Sequence, residues 1–416
     1  MTHYGLNPSF VYNSPLPLFG NLIRRAKKVE ADGTIRLMEG ARSPAVADVR
    51  VSGCTVTRGP GGQLVAENIA SPDSASARVG STGVFHTPSI AALSSLRPTV
   101  LRTLDWQKAN LRTEWVGHPV GLFDTLQGTD RGMSVELQAM AANTLKCQLW
   151  WNAPPRYDLS VPEYEVRLTA LLQQIRDRVS LPPILEYGNE LWNAGFPVHA
   201  WLDGQGSWHT AAVAEIAILR RVADRVFGAA GPLGRRPYYL FVGGQLTVPS
   251  HLDKILSALR SLGVTPDLAG PALYVTPLKA DKESWERTGY VPTQNELWDS
   301  CFRRLAEIAL DDLPQHGRLC IQYSIPYFAC YEAGQSLIAG ARPWRRSAIE
   351  AQRTAWMGDL YREIRYQAQS AGVDLLNWYS AATDQEPSDP RVDVFGLLEG
   401  DASVPLLPKA RAARGD

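Results

Sequence analysis

Two glutamates carry the chemistry that can be read from this sequence. Glu190 closes the run Leu185-Glu186-Tyr187-Gly188-Asn189-Glu190-Leu191-Trp192-Asn193, in which an apolar stretch ends on an amide, a carboxylate and an indole. Glu332 closes a second such stretch, Phe328-Ala329-Cys330-Tyr331-Glu332-Ala333-Gly334-Gln335, and is followed by a small-residue turn. Each alone has an ordinary structural reading, because a glutamate at a strand end is commonly solvated or salt-bridged. Together, at two strand ends, they suggest a catalytic pair of the kind that cleaves a glycosidic bond. Aromatic residues point the same way. The chain has 12 Trp and 15 Tyr, and Trp106, Trp150, Trp151, Trp192, Tyr274, Trp378 and Tyr379 fall at predicted strand ends. Such rings stack on the C–H faces of sugars while their polar edges hydrogen-bond; core and rim packing is the open alternative for each.

The elements that must bring these residues together follow from hydrophobic period. Eight short apolar runs read as strands: His3 to Asn7, Thr99 to Trp106, Cys147 to Pro154, Ile184 to Glu190, Tyr238 to Gln245, Leu268 to Thr276, Phe328 to Gln335 and Val373 to Ser380. Helical periodicity lies between them at Val135 to Leu145, Val161 to Val179, Ala211 to Phe227, Leu252 to Leu262, Asn295 to Leu310 and Ser347 to Ser370. Eight strands with intervening helices close most naturally into a (β/α)8 TIM barrel, an α/β fold in which Glu190 and Glu332 share the rim at the strands' C-terminal ends. About ninety residues separate the first two strands. Within them Thr34 to Met38, Ala45 to Val51, Thr55 to Arg58, Gln63 to Asn68 and Ala77 to Phe85 have strand character, with a Gly-Pro-Gly-Gly turn at 59–62. The expected organisation is a barrel over residues 1–408, a small β-rich insertion at 30–90 inside it, and a polar, frayed tail at 409–416. The insertion could be a glycan-binding flank, a lid or structural padding.

Composition excludes several classes. Lys plus Arg and Asp plus Glu are equal at 42 each, so no long-range charge draws the chain to nucleic acid or to an acidic membrane. A neutral partner such as a carbohydrate fits better. Five cysteines lack CxxC spacing and read as buried thiols. No HExxH, GxxxxGK[ST] or GxSxG motif occurs, so neither a metal nor an organic cofactor is expected. Residues 1–25 lack a charged segment followed by an apolar one, and no apolar run approaches bilayer length. The chain is therefore expected to stay in the cytoplasm or to leave by another route, such as phage lysis.

The ordered runs Leu-Arg-Thr-Leu-Asp-Trp, Leu-Trp-Trp-Asn-Ala-Pro, Glu-Tyr-Gly-Asn-Glu-Leu-Trp-Asn, Val-Gly-Gly-Gln and Tyr-Glu-Ala-Gly-Gln, between residues 100 and 335, resemble the clan A retaining glycoside hydrolases. More narrowly they resemble bacterial and phage proteins labelled cellulose-binding or glycosidase-like. The resemblance implies Glu190, after Asn189 on strand four, as acid/base and Glu332 on strand seven as nucleophile. It implies Arg102 and Tyr274 as residues touching the nucleophile, Trp378 as the floor of the sugar subsite, and Asn189 as the contact to the 2-hydroxyl. Asp105, Trp106, Asn110, Asn152, Trp192, Gln245 and Gln335 are further candidate contacts, with loop capping as the alternative for the polar ones. His199 and His209 could also reach the cleft. Strand three ends Asn152-Ala153-Pro154-Pro155, without the histidine that related sequences often carry there, which leaves sugar choice open. Two other readings remain: a catalytically idle, glycan-binding barrel in a larger assembly such as a phage tail or cell-surface component, and a barrel enzyme with a non-sugar substrate.

Overall fold

Short apolar runs rich in β-branched and aromatic residues form the inner ring of the molecule. The computed structural model describes residues 3–7, 19, 29–38, 46, 49–59, 64–69, 76–79, 84–110, 127, 132–228, 236–337, 342–382, 395–398 and 406–416. Eight parallel strands make up the ring: β1 (His3–Asn7), β2 (Val100–Arg102), β3 (Gln148–Ala153), β4 (Ile184–Tyr187), β5 (Tyr239–Gly244), β6 (Leu268–Pro271), β7 (Tyr327–Gln335) and β8 (Leu375–Tyr379). Each pairs with its neighbours in sequence, and β1 closes the ring by pairing with both β2 and β8. Beyond β6 a short run, Leu273–Val275, lies outside the ring and pairs with the end of β7. The expected (β/α)8 barrel is the fold of the chain.

Side chains alternate between the two faces of each strand, and this divides the core in two. Val100, Trp150, Ile184, Phe241, Ala329 and Tyr331 pack together inside the ring. Their neighbours Leu101, Trp151, Leu185, Leu240, Cys330 and Leu376 face outward into the larger layer beneath the helices. The helices present matching stripes. Helix Val161–Arg176, for instance, buries Tyr164, Leu168, Leu171, Leu172 and Ile175, and the carboxylate of Glu163 accepts from the Ser160 backbone N–H at 3.1 Å to fix its start.

Several boundaries differ from expectation. Strand two is short because residues 103–110 turn away after Arg102. The helix expected over Asn295 to Leu310 runs from Gln294 to Glu307, passes through a π-helical turn at Ile308–Asp312 and continues as Leu313–Gln322. That expected over Ser347 to Ser370 is two helices, Arg345–Ala351 and Ala355–Ser370. The tail is also different: Pro408–Arg414 is a helix with Lys409, Ala410, Ala412 and Ala413 buried. Its sequence reads as polar because the partners that cover it are far away in the chain.

The β-rich insertion forms a three-stranded antiparallel sheet of Ile35–Met38, Leu64–Glu67 and Thr55–Arg58, and a ribbon of Val49–Ser52 with Ser76–Val79. Ile35, Leu37, Val49, Val56, Leu64 and Ala66 give it a small core of its own. Residues 60–62 of the expected turn, the first residue of the expected strand at 63–68 and parts of those at 45–51 and 77–85 lie outside the described residues. Among the described residues no helix is long and apolar enough to cross a membrane.

Candidate active site

Arg102, the last residue of β2, is the centre of the site. Inward alternation places it above Val100 in the barrel, where its side chain is wholly buried. Its Nε and Nη2 donate to the two oxygens of Glu186 at 2.9 and 3.0 Å, Nη1 donates to Glu332 Oε1 at 2.7 Å, and Nη2 donates to Asn189 Oδ1 at 2.6 Å. Trp150 and Tyr331 present their rings to the guanidinium, 5.4 and 5.1 Å from centroid to Cζ. Burial opposes the charge on Arg102, but the Glu186 and Glu332 carboxylates outweigh it and raise its pKa further above neutral pH. One cation thus faces two buried carboxylates, and the pocket keeps a negative excess.

Glu332 reaches this cluster through an irregularity in β7. Cys330 lies opposite Leu376 of β8, yet Ala333 lies opposite Trp378, so three steps on β7 face two on β8. The bulge lets the consecutive residues Tyr331 and Glu332 both reach the site. The Tyr331 carbonyl at the bulge accepts from Asn377 Nδ2 at 2.9 Å and Asn7 Nδ2 at 3.4 Å. Tyr274, on the run beyond β6, donates its hydroxyl to Glu332 Oε2 at 2.8 Å. Burial first, then the charge of Glu332, pushes the Tyr274 hydroxyl well above the usual tyrosine range, so it remains a donor.

Glu190 sits on the turn after β4. Gly188 at φ +60° and Glu190 itself at φ +43° take left-handed backbone, and the Asn193 N–H donates to the Glu190 carbonyl at 2.8 Å. A non-glycine residue held in this region marks a constrained position. The side chain accepts from Asn193 Nδ2 at 2.8 Å and from the Tyr331 hydroxyl at 3.3 Å. Burial, with the negative charge of Glu332 second, pushes Glu190 up to about 7. Asp105 is also pushed up to about 7 by burial and by Glu332; its Oδ2 accepts from the Tyr379 hydroxyl at 3.2 Å.

Other candidates divide between the site and its surroundings. Asn189 donates to Asn110 Oδ1 at 2.8 Å, which joins Asn110 to the cluster. Asn152 donates to the Gly188 carbonyl at 2.7 Å and supports the Glu190 turn, and its hidden Oδ1 has no partner among the described residues. Trp192 is half-buried just past Glu190, and its hidden indole N–H has no hydrogen-bond partner among the described residues. Gln245 is half-buried at the end of β5. Gln335 is fully buried and accepts from the Leu337 N–H at 3.0 Å, a loop-capping contact. Trp106 and Trp378 belong to the outer layer. The Trp378 indole lies against Tyr4 and Tyr361 and donates to the Ala413 carbonyl at 3.1 Å, so it cannot floor the sugar site. Tyr379, one residue on, has the inward parity and meets Asp105 and Tyr274. His199 Nδ1 donates to the Leu191 carbonyl at 2.7 Å, and with His209 and His251 the ring surrounds Trp208.

Glu186, Tyr331 and Asn193 were not candidates in the sequence and Trp150 stood there only as a strand-end aromatic, although all four complete the site. Trp150 Nε1 donates to Glu186 Oε2 at 2.8 Å. The signal for Glu186 was a charged residue inside an apolar strand, where burial requires a partner. Among the described residues no three His, Cys, Asp or Glu side chains converge as metal ligands.

No family model matches the sequence, and no curated protein matches it. Among solved structures, the GH51 arabinofuranosidase from Xanthomonas axonopodis pv. citri is similar with a TM-score of 0.52 at 13% identity, over 80% of this chain and 66% of that one. The GH39 enzyme from the same organism gives 0.49 at 13% identity, over 79% and 62%. The GH5-4 broad specificity endoglucanase from Bacteroides salanitronis gives 0.45 at 14%, over 80% and 84%. This chain thus spans slightly less than two thirds of the length of the first two. At these identities the likeness is one of fold alone, the (β/α)8 barrel.

Proposed function

We propose that this chain is a retaining glycoside hydrolase that cleaves a poly- or oligosaccharide by double displacement. The observation that carries the reading is the contrast between two neighbouring carboxyls: Glu332 receives hydrogen bonds from Arg102 and Tyr274, while Glu190 is raised to about 7 beside it. That contrast suits a nucleophile and an acid. Glu332 attacks the anomeric carbon as the bond to the leaving oxygen breaks, and Glu190 gives that oxygen its proton. Glu190, now a carboxylate, takes a proton from water, which attacks the same carbon and releases Glu332. Asn189, aligned by Arg102 and Asn110, contacts the 2-hydroxyl, and the half-buried Trp192 and Gln245 border the leaving side. Retention requires carboxyl groups about 5 to 5.5 Å apart.

The test follows product anomers by proton NMR in the wild-type chain and two variants. Retention is expected, with turnover abolished in Glu332→Gln. Glu190→Ala should slow substrates that need protonation far more than activated aryl glycosides. Equal losses on both substrate types would count against the acid/base role, and glycan binding without product in the wild-type chain would favour an idle barrel.

A further inference from the structure

A cavity of about 330 Å³ opens past the C-terminal ends of the Leu273–Val275 run and β7. Its wall is built from segments that leave the site directly, with Thr276 two residues past Tyr274 and Ser336 next after Gln335. The opposite wall is helix Lys279–Thr288, and the side is closed by Trp344, whose indole N–H is anchored on the Leu337 carbonyl at 2.8 Å.

The charges lining this cavity do not cancel. Arg342 pairs with Glu286 at 2.6 Å, and Lys279 pairs with Glu283 at 3.7 Å. Lys282 is half-buried between them and, among the described residues, forms no ion pair; its ammonium donates to Thr276 Oγ1 at 3.3 Å. Burial, with Arg304 next, holds Lys282 below the usual lysine range. The Thr276 hydroxyl is given to the Pro277 carbonyl at 3.1 Å and the Trp344 indole N–H to Leu337, so the partly desolvated Lys282 ammonium and the Ser336 hydroxyl are the donors from which a carboxylate or sulfate gains charge-assisted hydrogen bonds. Inside the carboxylate cluster the balance is reversed, since one arginine there faces several acids. An anionic group on a substrate is therefore repelled from the reaction centre and accepted one short step away on the rim.

We propose that the Lys282 cavity binds an anionic group on the glycan, a carboxylate or a sulfate, carried by a sugar unit next to the one that meets Glu332. The substrate class is then an acidic polysaccharide. This rests on the glycosidase reading for the position of the glycan, but binding can be measured without turnover.

The experiment applies the full-length Glu332→Gln chain to an array of neutral, uronic-acid and sulfated glycans, followed by calorimetry on the best oligosaccharides. Retention of acidic glycans over neutral ones is expected, weakened by added NaCl, and the uronate and sulfate arms identify the anion. Lys282→Met should lower the ratio of acidic to neutral affinity about tenfold, the loss of one charge-assisted contact, and Lys282→Arg should largely restore it. Thermal unfolding of both variants separates a binding loss from a folding loss. Preference for neutral glycans, or an acidic preference unchanged in Lys282→Met, would overturn this inference alone. Binding of no glycan would overturn it together with the glycosidase reading.

Discussion

Arg102 is outnumbered: it pairs with Glu186 and Glu332, and Glu190 and Asp105 feel the same negative excess. Arg102 draws both acids down, but burial first and then Glu332 outweigh it. For Glu190 the consequence is kinetic. A general acid must hold its proton, so kcat/KM should fall as pH rises through about 7. With an aryl glycoside whose leaving group needs no protonation this alkaline limb should vanish; a limb that persists would assign it to another group. For Asp105 the consequence is for stability. Its folded pKa of about 7 lies above the unfolded value near 4, so its contribution to folding is complete at low pH and is lost as pH rises through 7. Asp105→Asn keeps an acceptor for Tyr379 but cannot ionise. Relative to the wild type it should gain about 2 to 4 kcal/mol between pH 4 and pH 8, measured by urea unfolding, a window equal to the shift in linkage terms. A difference that does not change with pH would show that Asp105 ionises freely. Glu190 and Glu332 stand out in the sequence because each is a carboxylate closing an apolar run, whereas Arg102 and the role of Tyr274 came only with the resemblance. The resemblance pointed to Trp378 as the floor of the subsite, whereas strand parity turns its neighbour Tyr379 inward.

At the scale of elements, the site depends on how β6 and β7 meet. Gly270 in β6 has φ +156°, and a Cβ there would stand 2.1 Å from the Ala329 carbonyl oxygen of β7. That oxygen is backbone and cannot rotate away. Gly270→Ala should therefore push β6 from β7, cost about 3 kcal/mol or more, and carry Tyr274 away from Glu332. Urea unfolding reads the first effect. The second appears as a loss of kcat/KM under conditions where the variant is fully folded. Wild-type stability in the variant would mean that the strands part without strain. The sequence pattern located both strands, because a run of apolar and small residues bounded by turns is visible in one dimension. The bulge at Tyr331–Glu332 is not. It depends on a slip of register against β8, and register is a relation between two segments that neither contains.

For the molecule as a whole, the ring was legible because eight strand-like runs alternate with helical ones and few folds accept that order. What covers the ring from outside was not. Lys-Ala-Arg-Ala-Ala-Arg-Gly-Asp has the composition of an exposed end, yet Ala410, Ala412 and Ala413 are buried and the Lys409 ammonium donates to Gln352 Oε1 at 2.7 Å. Arg414 reaches back to the Ser95 carbonyl at 3.0 Å, beside the first helix. This last helix also caps the outer face of β8, where the Ala413 carbonyl receives the Trp378 indole. The same strand carries Asn377 and Tyr379 on its inner face, so the outer cover supports the inner site through one backbone. Removing residues 407–416 should uncover Trp378 and Tyr361 and lower stability on the order of 3 kcal/mol through lost apolar burial. The thermal midpoint of the shortened chain measures this, and fluorescence of its tryptophans should shift to the red as Trp378 meets water. An end that merely frays would leave both unchanged. Loss of the midpoint with Tyr379 still able to support the reaction would show that the helix serves stability alone; a parallel fall in activity at temperatures where the shortened chain is folded would show that β8 transmits its packing to the cleft.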